Sequence, residues 1–107
     1  MADVYRVANA GGFWGDRDDA LYDQVSHGPV DAVMLDYLAE VTMSILRRQM
    51  ARDSKAGWVR DFLSALEPAL PIVAEKGIVV VANAGGMNPR ACAEAVRHRS
   101  PFRSSRA

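Results

Sequence analysis

Ile78-Val79-Val80-Val81-Ala82-Asn83-Ala84-Gly85-Gly86-Met87-Asn88-Pro89-Arg90 decides the fold. It opens with a short run of β-branched residues, which suits a strand buried on both faces. It breaks at Asn-Ala-Gly-Gly, a turn composition. It ends at Asn88-Pro89, a good helix cap followed by a residue pre-set for the first helical turn. The segment reads strand, tight loop, helix. In an open α/β sheet, ligands bind at that junction.

The hexapeptide Val7-Ala8-Asn9-Ala10-Gly11-Gly12 recurs as Val81-Ala82-Asn83-Ala84-Gly85-Gly86. Two copies 74 positions apart do not make a solenoid, whose units run to roughly 20–50 residues. They read as two strand ends with one job. Around them, Val4 to Ala8 is a first strand, and Asn9 to Gly15 a loop carrying Phe13 and Trp14. A helix starts at Asp16-Arg17-Asp18-Asp19 and stops at His27-Gly28-Pro29. Val30 to Leu35 is a second strand. Helices follow over about Ala39 to Arg52, Trp58 to Leu66 and Ile72 to Lys76, the last closed by Gly77. Pro89 to about Arg97 is the final helix.

Strands alternating with helices imply a parallel sheet. The expected fold is a small, Rossmann-like three-layer α/β domain over residues 1–97. It has about three parallel strands in the order 2-1-3 and helices on both faces. That order sets the two Asn-Ala-Gly-Gly loops side by side at a switch point. Residues 98–107, rich in serine and arginine, read as a disordered or aberrant tail. Three strands make a thin core, which points to a homo-oligomer or to a place in a larger subunit.

Lysine plus arginine equals aspartate plus glutamate, 13 each. Without a basic field, neither nucleic acid nor an anionic membrane is an expected partner. The single cysteine, Cys92, precludes an internal disulfide and fits a reducing, cytoplasmic setting. No apolar run reaches the ~20 residues of a membrane span, and Met1 to Arg6 lacks the apolar centre of a signal peptide.

Gly12-Phe13-Trp14-Gly15-Asp16-Arg17, Asp36-Tyr37-Leu38-Ala39-Glu40-Val41-Thr42-Met43 and Asn83-Ala84-Gly85-Gly86-Met87-Asn88-Pro89 together resemble the N-terminal part of the acyclic terpene utilisation (AtuA-type) family. The resemblance spans roughly residues 5–97 by the order of these motifs. It implies a role in the catabolism of branched acyclic terpenes such as citronellol and geraniol, beside acyl-CoA enzymes. No catalytic residues carry over from it. It also implies a truncated chain, because Arg97-His98-Arg99-Ser100-Pro101 does not read as family sequence.

The candidate ligand-binding residues are Asn9, Gly11, Gly12, Asn83, Gly85, Gly86 and Arg90. Backbone N–H groups at such loops and helix starts attract a carboxylate or phosphate, though tight turning alone also explains the glycines. A small-molecule acid or an acyl-CoA substrate is the matching partner. Asp36 and Glu40 are the catalytic candidates as general acid or base, against a plain role in starting a helix. Neither His27 nor His98 has ligand partners at metal spacing, so no metal and no cofactor are expected. The other reading is a non-catalytic fragment or an interaction subunit that docks through an exposed sheet edge.

Overall fold

The three apolar runs form one parallel sheet. This computed structural model describes residues 4–12, 14–15 and 17–99. The readings placed on Phe13, Asp16 and the tail from Ser100 lie outside those residues. The strands are β1 (Val7–Gly11), β2 (Ala32–Leu35) and β3 (Val79–Ala82). The helices are α1 (Ala20–His27), α2 (Glu40–Arg52), α3 (Asp61–Leu66), α4 (Leu70–Lys76) and α5 (Pro89–Arg99), with a 3-10 turn at Glu67–Ala69. The α/β class and the three parallel strands agree with the sequence reading.

The strand order is β1-β2-β3, which corrects the expected 2-1-3. The order shows in burial, not in composition. The strand between two neighbours is the best covered, and in β2 only Met34 of four residues is exposed, although β3 is as apolar in sequence. Each strand is thus laid beside its predecessor, the commonest arrangement of consecutive elements. The order never reverses, so the sheet has no switch point and the crevice expected there does not form.

β1 also lies further along the chain than expected. Asn9 and Gly11 pair with Met34 and Leu35 inside the ladder, with a register shift between them at Ala10. The ladder continues backwards through Arg6, whose carbonyl accepts from the Asp31 and Ala32 N–H groups at 2.8 and 3.2 Å.

The two faces of the sheet are covered unequally. Alternation sends Ala8, Ala10, Val33, Leu35, Val80 and Ala82 to one face. That face packs into a core with Leu21 and Val25 of α1, Leu46 of α2, Val59, Phe62 and Leu66. Tyr37 meets Phe62 edge-on, with ring centroids 6.1 Å apart. Burying side chains of this kind stabilises by about 1.5–3 kcal/mol each. On the opposite face Val7, Met34, Val79 and Val81 remain about half exposed.

Local signals account for the helix ends. α4 stops at Gly77, whose φ of +66° is left-handed. The Ile78 N–H then reaches back to the Val73 carbonyl at 3.0 Å, a six-to-one closure that sends the chain directly into β3. α5 begins at Pro89, and the Asn88 Oδ1 accepts from the Ala91 N–H at 3.3 Å, as a capping residue should. α5 continues to Arg99, two residues past the expected end. Among the described residues, no helix is long and apolar enough to cross a membrane.

Candidate functional site

β2 and β3 each end in an apolar residue followed by a polar one, Leu35-Asp36 and Ala82-Asn83. Leu35 pairs with Ala82, so Asp36 and Asn83 leave adjacent strands at the same level. The Asn83 amide spans the gap. Its Nδ2 donates to Asp36 Oδ1 at 2.7 Å, and its Oδ1 accepts from the Tyr37 N–H at 2.8 Å. The Leu38 N–H also donates to Asp36 Oδ1, at 3.2 Å, and the Asp36 N–H donates to the Gly11 carbonyl at 3.0 Å. The Asp36 segment thereby ties all three strand ends together.

This network sets the charge on Asp36. The Asn83 hydrogen bond first, and the Leu38 N–H second, hold its carboxyl below the usual aspartate range. Both favour the anion. At neutral pH Asp36 is therefore ionised and accepts hydrogen bonds only. A carboxyl so depressed is a weak base, and its chemistry is that of an acceptor. Glu40 is the first residue of α2, whereas Asp36 lies before the helix begins. The two candidate acids are thus not stacked on one helical face.

Beside the pair runs a groove of about 190 Å³, lined by Met34, Leu35, Asp36, Val81, Ala82 and Asn83. Its walls are apolar except at one end, where Asp36 and Asn83 stand. A wider groove of about 530 Å³ lies near the first loop, lined by Gly15, Arg17, Asp18, Asp61 and Ser64. Its charges are of both signs. Arg17 pairs with Asp19 at 2.8 Å, and Asp61 accepts from Trp14 Nε1 at 3.1 Å.

The structure separates the loop residues into two sets. Asn9 sits within β1, and its Oδ1 accepts from the Gly11 N–H at 2.9 Å. Because β2 intervenes, β1 and β3 stand two strand spacings apart, about 10 Å. The second loop is held by its own chain. The Gly86 N–H donates to the Asn83 carbonyl at 3.2 Å, the Met87 N–H to the Gly57 carbonyl at 2.9 Å, and the Asn88 N–H to the Gly85 carbonyl at 2.8 Å. A Cβ on Gly85 would lie 2.8 Å from Pro89 Cα, and one on Gly86 would lie 2.5 Å from Leu46 Cδ1. These glycines are demanded by packing. Gly11 and Gly12 end and follow β1, and Arg90 is exposed in the first turn of α5.

Two contributors escaped the sequence reading. One is Asn88, whose Nδ2 donates to the Ser54 and Ala56 carbonyls at 3.0 and 2.9 Å. It fastens the start of α5 to the loop after α2. Its capping position was legible, but its second role had no local signal. The other is the Asp36–Asn83 pairing, whose signal was the matched placement of two polar residues directly after apolar runs. Cys92 is buried, and that burial pushes its thiol up. Among the described residues no group of three or more His, Cys, Asp or Glu is placed to hold a metal.

Compared with known families, residues 5–101 match the model of the acyclic terpene utilisation family protein AtuA. The chain belongs to the AtuA family. The matched span takes in every described strand and helix, both hexapeptides and the Asp36–Asn83 pair. It also runs through Pro101, which corrects the expectation that family sequence ends near Arg97. No curated protein and no solved structure matches this AtuA-family chain.

Proposed function

We propose that this AtuA-family domain binds a branched acyclic terpenoid during terpene catabolism. The hydrocarbon lies along the β2–β3 groove and a terminal hydroxyl donates to the Asp36 carboxylate. The observation that carries this reading is an ionised acceptor, Asp36, standing with Asn83 at one end of an open groove whose other lining is apolar. Apolar contact supplies about 0.8 kcal/mol per buried methylene, and the ionised acceptor supplies orientation. The groove, about 190 Å³, is smaller than the roughly 300–1,000 Å³ of drug-sized sites. It suits a short branched chain and would leave the nucleotide part of a CoA ester outside.

A carboxylate or phosphate at the same place would meet Asp36 as a like charge. The alcohol should therefore bind ahead of the acid. The test is thermal unfolding at pH 7 with citronellol or with the corresponding acid. The expected result is a rise in Tm with the alcohol, following mass action, and a smaller rise with the acid. Asp36→Asn should narrow that gap. Silence with both ligands would sink the reading. A larger shift with the acid that disappears in Arg90→Gln would move the site to the anion-binding loops.

A further inference from the structure

We infer that the uncovered face of the sheet seats a second copy of this chain, packed sheet against sheet about a two-fold axis. The face is built from outward positions in register. Val7, Ala32 and Val79 form one row across the strands, and Asn9, Met34 and Val81 form the next. Tyr5 continues the alternation before β1. None of these seven side chains carries a charge. Val7, Met34, Val79 and Val81 are 60%, 47%, 50% and 54% exposed, and Tyr5 is 63% exposed.

Parallel sheets are found with both faces covered, and a contiguous apolar patch on a monomer marks an interaction surface. The area, with all five residues buried, reaches what a second copy needs. Those five exposed side chains offer roughly 500 Å² per copy, so about 1,000 Å² for a pair, the threshold of a specific interface. A two-fold contact centred on Met34 of the middle strand would set the same rows against each other in both copies, as an isologous contact does. Two such sheets stack at about 10 Å with their side chains interleaved. The inference does not rest on the proposed ligand, but Met34 and Val81 line the β2–β3 groove as well, with Asp36 at its end, so a bound terpenoid and the second copy compete for this face.

The test uses the full chain in analytical ultracentrifugation over a range of concentrations. The expected mass is twice 11.7 kDa, limiting at the dimer. Val7→Lys and Val79→Lys touch the face without lining the groove. Each should weaken association at least about tenfold, as charge placed in a desolvated interface does, with far-UV circular dichroism unchanged. A second measurement needs no variant. Peroxide oxidation of Met34, followed by mass spectrometry, should slow as chain concentration rises, relative to the other methionines. A monomer at about 100 μM, well above the micromolar Kd of a modest interface, would overturn the inference. So would a mass that grows without limit, or Met34 oxidation independent of concentration.

Discussion

Val-Ala-Asn-Ala-Gly-Gly occupies residues 7–12 and again residues 81–86, and the two copies fold differently. In the first, the strand runs through the fifth residue, Gly11, before it ends. In the second, the strand stops at the second residue, Ala82. Met34 of the central strand faces Asn9 and Val81, and Leu35 faces Gly11 and Ala82, so the same peptide enters the sheet two residues out of step and leaves it three out of step, after the irregularity at Ala10. The asparagines part company accordingly. Asn9 lies on the open face and bonds two residues along its own chain. Asn83 clears the ladder and reaches across to Asp36 and Tyr37. The copies are set apart by their C-terminal neighbours. Asn88-Pro89 starts a helix four residues after Ala84, and the intervening turn must close quickly on Gly57 and Leu46. Local composition proposes a turn, and the neighbouring segments decide where it falls.

That contrast can be broken experimentally, and the largest effect should come from Gly86→Ala. Its φ is +53°, and the new Cβ would lie 2.5 Å from Leu46 Cδ1 and 3.0 Å from the Gly57 carbonyl oxygen. Strain and overpacking together should cost about 3 kcal/mol, read as a lower urea midpoint with an unchanged slope. A loss under ~1 kcal/mol would mean that the turn relaxes and that packing does not require the glycine.

The equivalent glycines Gly85 and Gly11 make the next comparison. A Cβ on Gly85 meets Pro89 Cα and Cβ at 2.8 Å, whereas one on Gly11 meets nothing within 4 Å. Gly85→Ala should cost about 2 kcal/mol, and Gly11→Ala should lie within about 0.5 kcal/mol of wild type. Equal costs would erase the distinction between the loops.

Asn83→Ala removes both cross-strand hydrogen bonds and should cost about 1–2 kcal/mol, against about 0.5 kcal/mol for Asn9→Ala. The same urea titrations check it. An Asn9 effect as large as that of Asn83 would show that the first loop carries a comparable bridge.

The smallest effect is electrostatic. The folded pKa of Asp36 is depressed, so its ionisation favours the folded state above the unfolded aspartate pKa of about 3.9. That contribution is lost as pH falls through the folded value. The carboxyl ¹³C titration of Asp36 should lie below the ordinary aspartate range in wild type. It should move upward in Asn83→Ala. No movement would assign the depression to the Leu38 N–H alone.

Much of the architecture was legible because its signals are short-range. The apolar runs, the Gly77 stop and the Asn88-Pro89 start each act within a turn of chain, and the structure places elements at all three. Strand order was not legible, because it depends on which strand the helices leave best buried, and no single residue encodes that. Asn9 looked equivalent to Asn83 for the same reason. Identical neighbours on the N-terminal side hid a difference set downstream. Asp36 and Asn83 were each singled out, but their direct bond required knowing that β2 and β3 are adjacent.

The sequential strand order also carries a temporal consequence. Val7 and Ala32 are 25 positions apart and Ala32 and Val79 are 47 apart, so closing the second pairing costs only about 0.6 kcal/mol more in chain entropy. A chain emerging residue by residue can nevertheless marry its first two strands while the third is still unmade. Asn83 then arrives last, as a latch on a platform already standing.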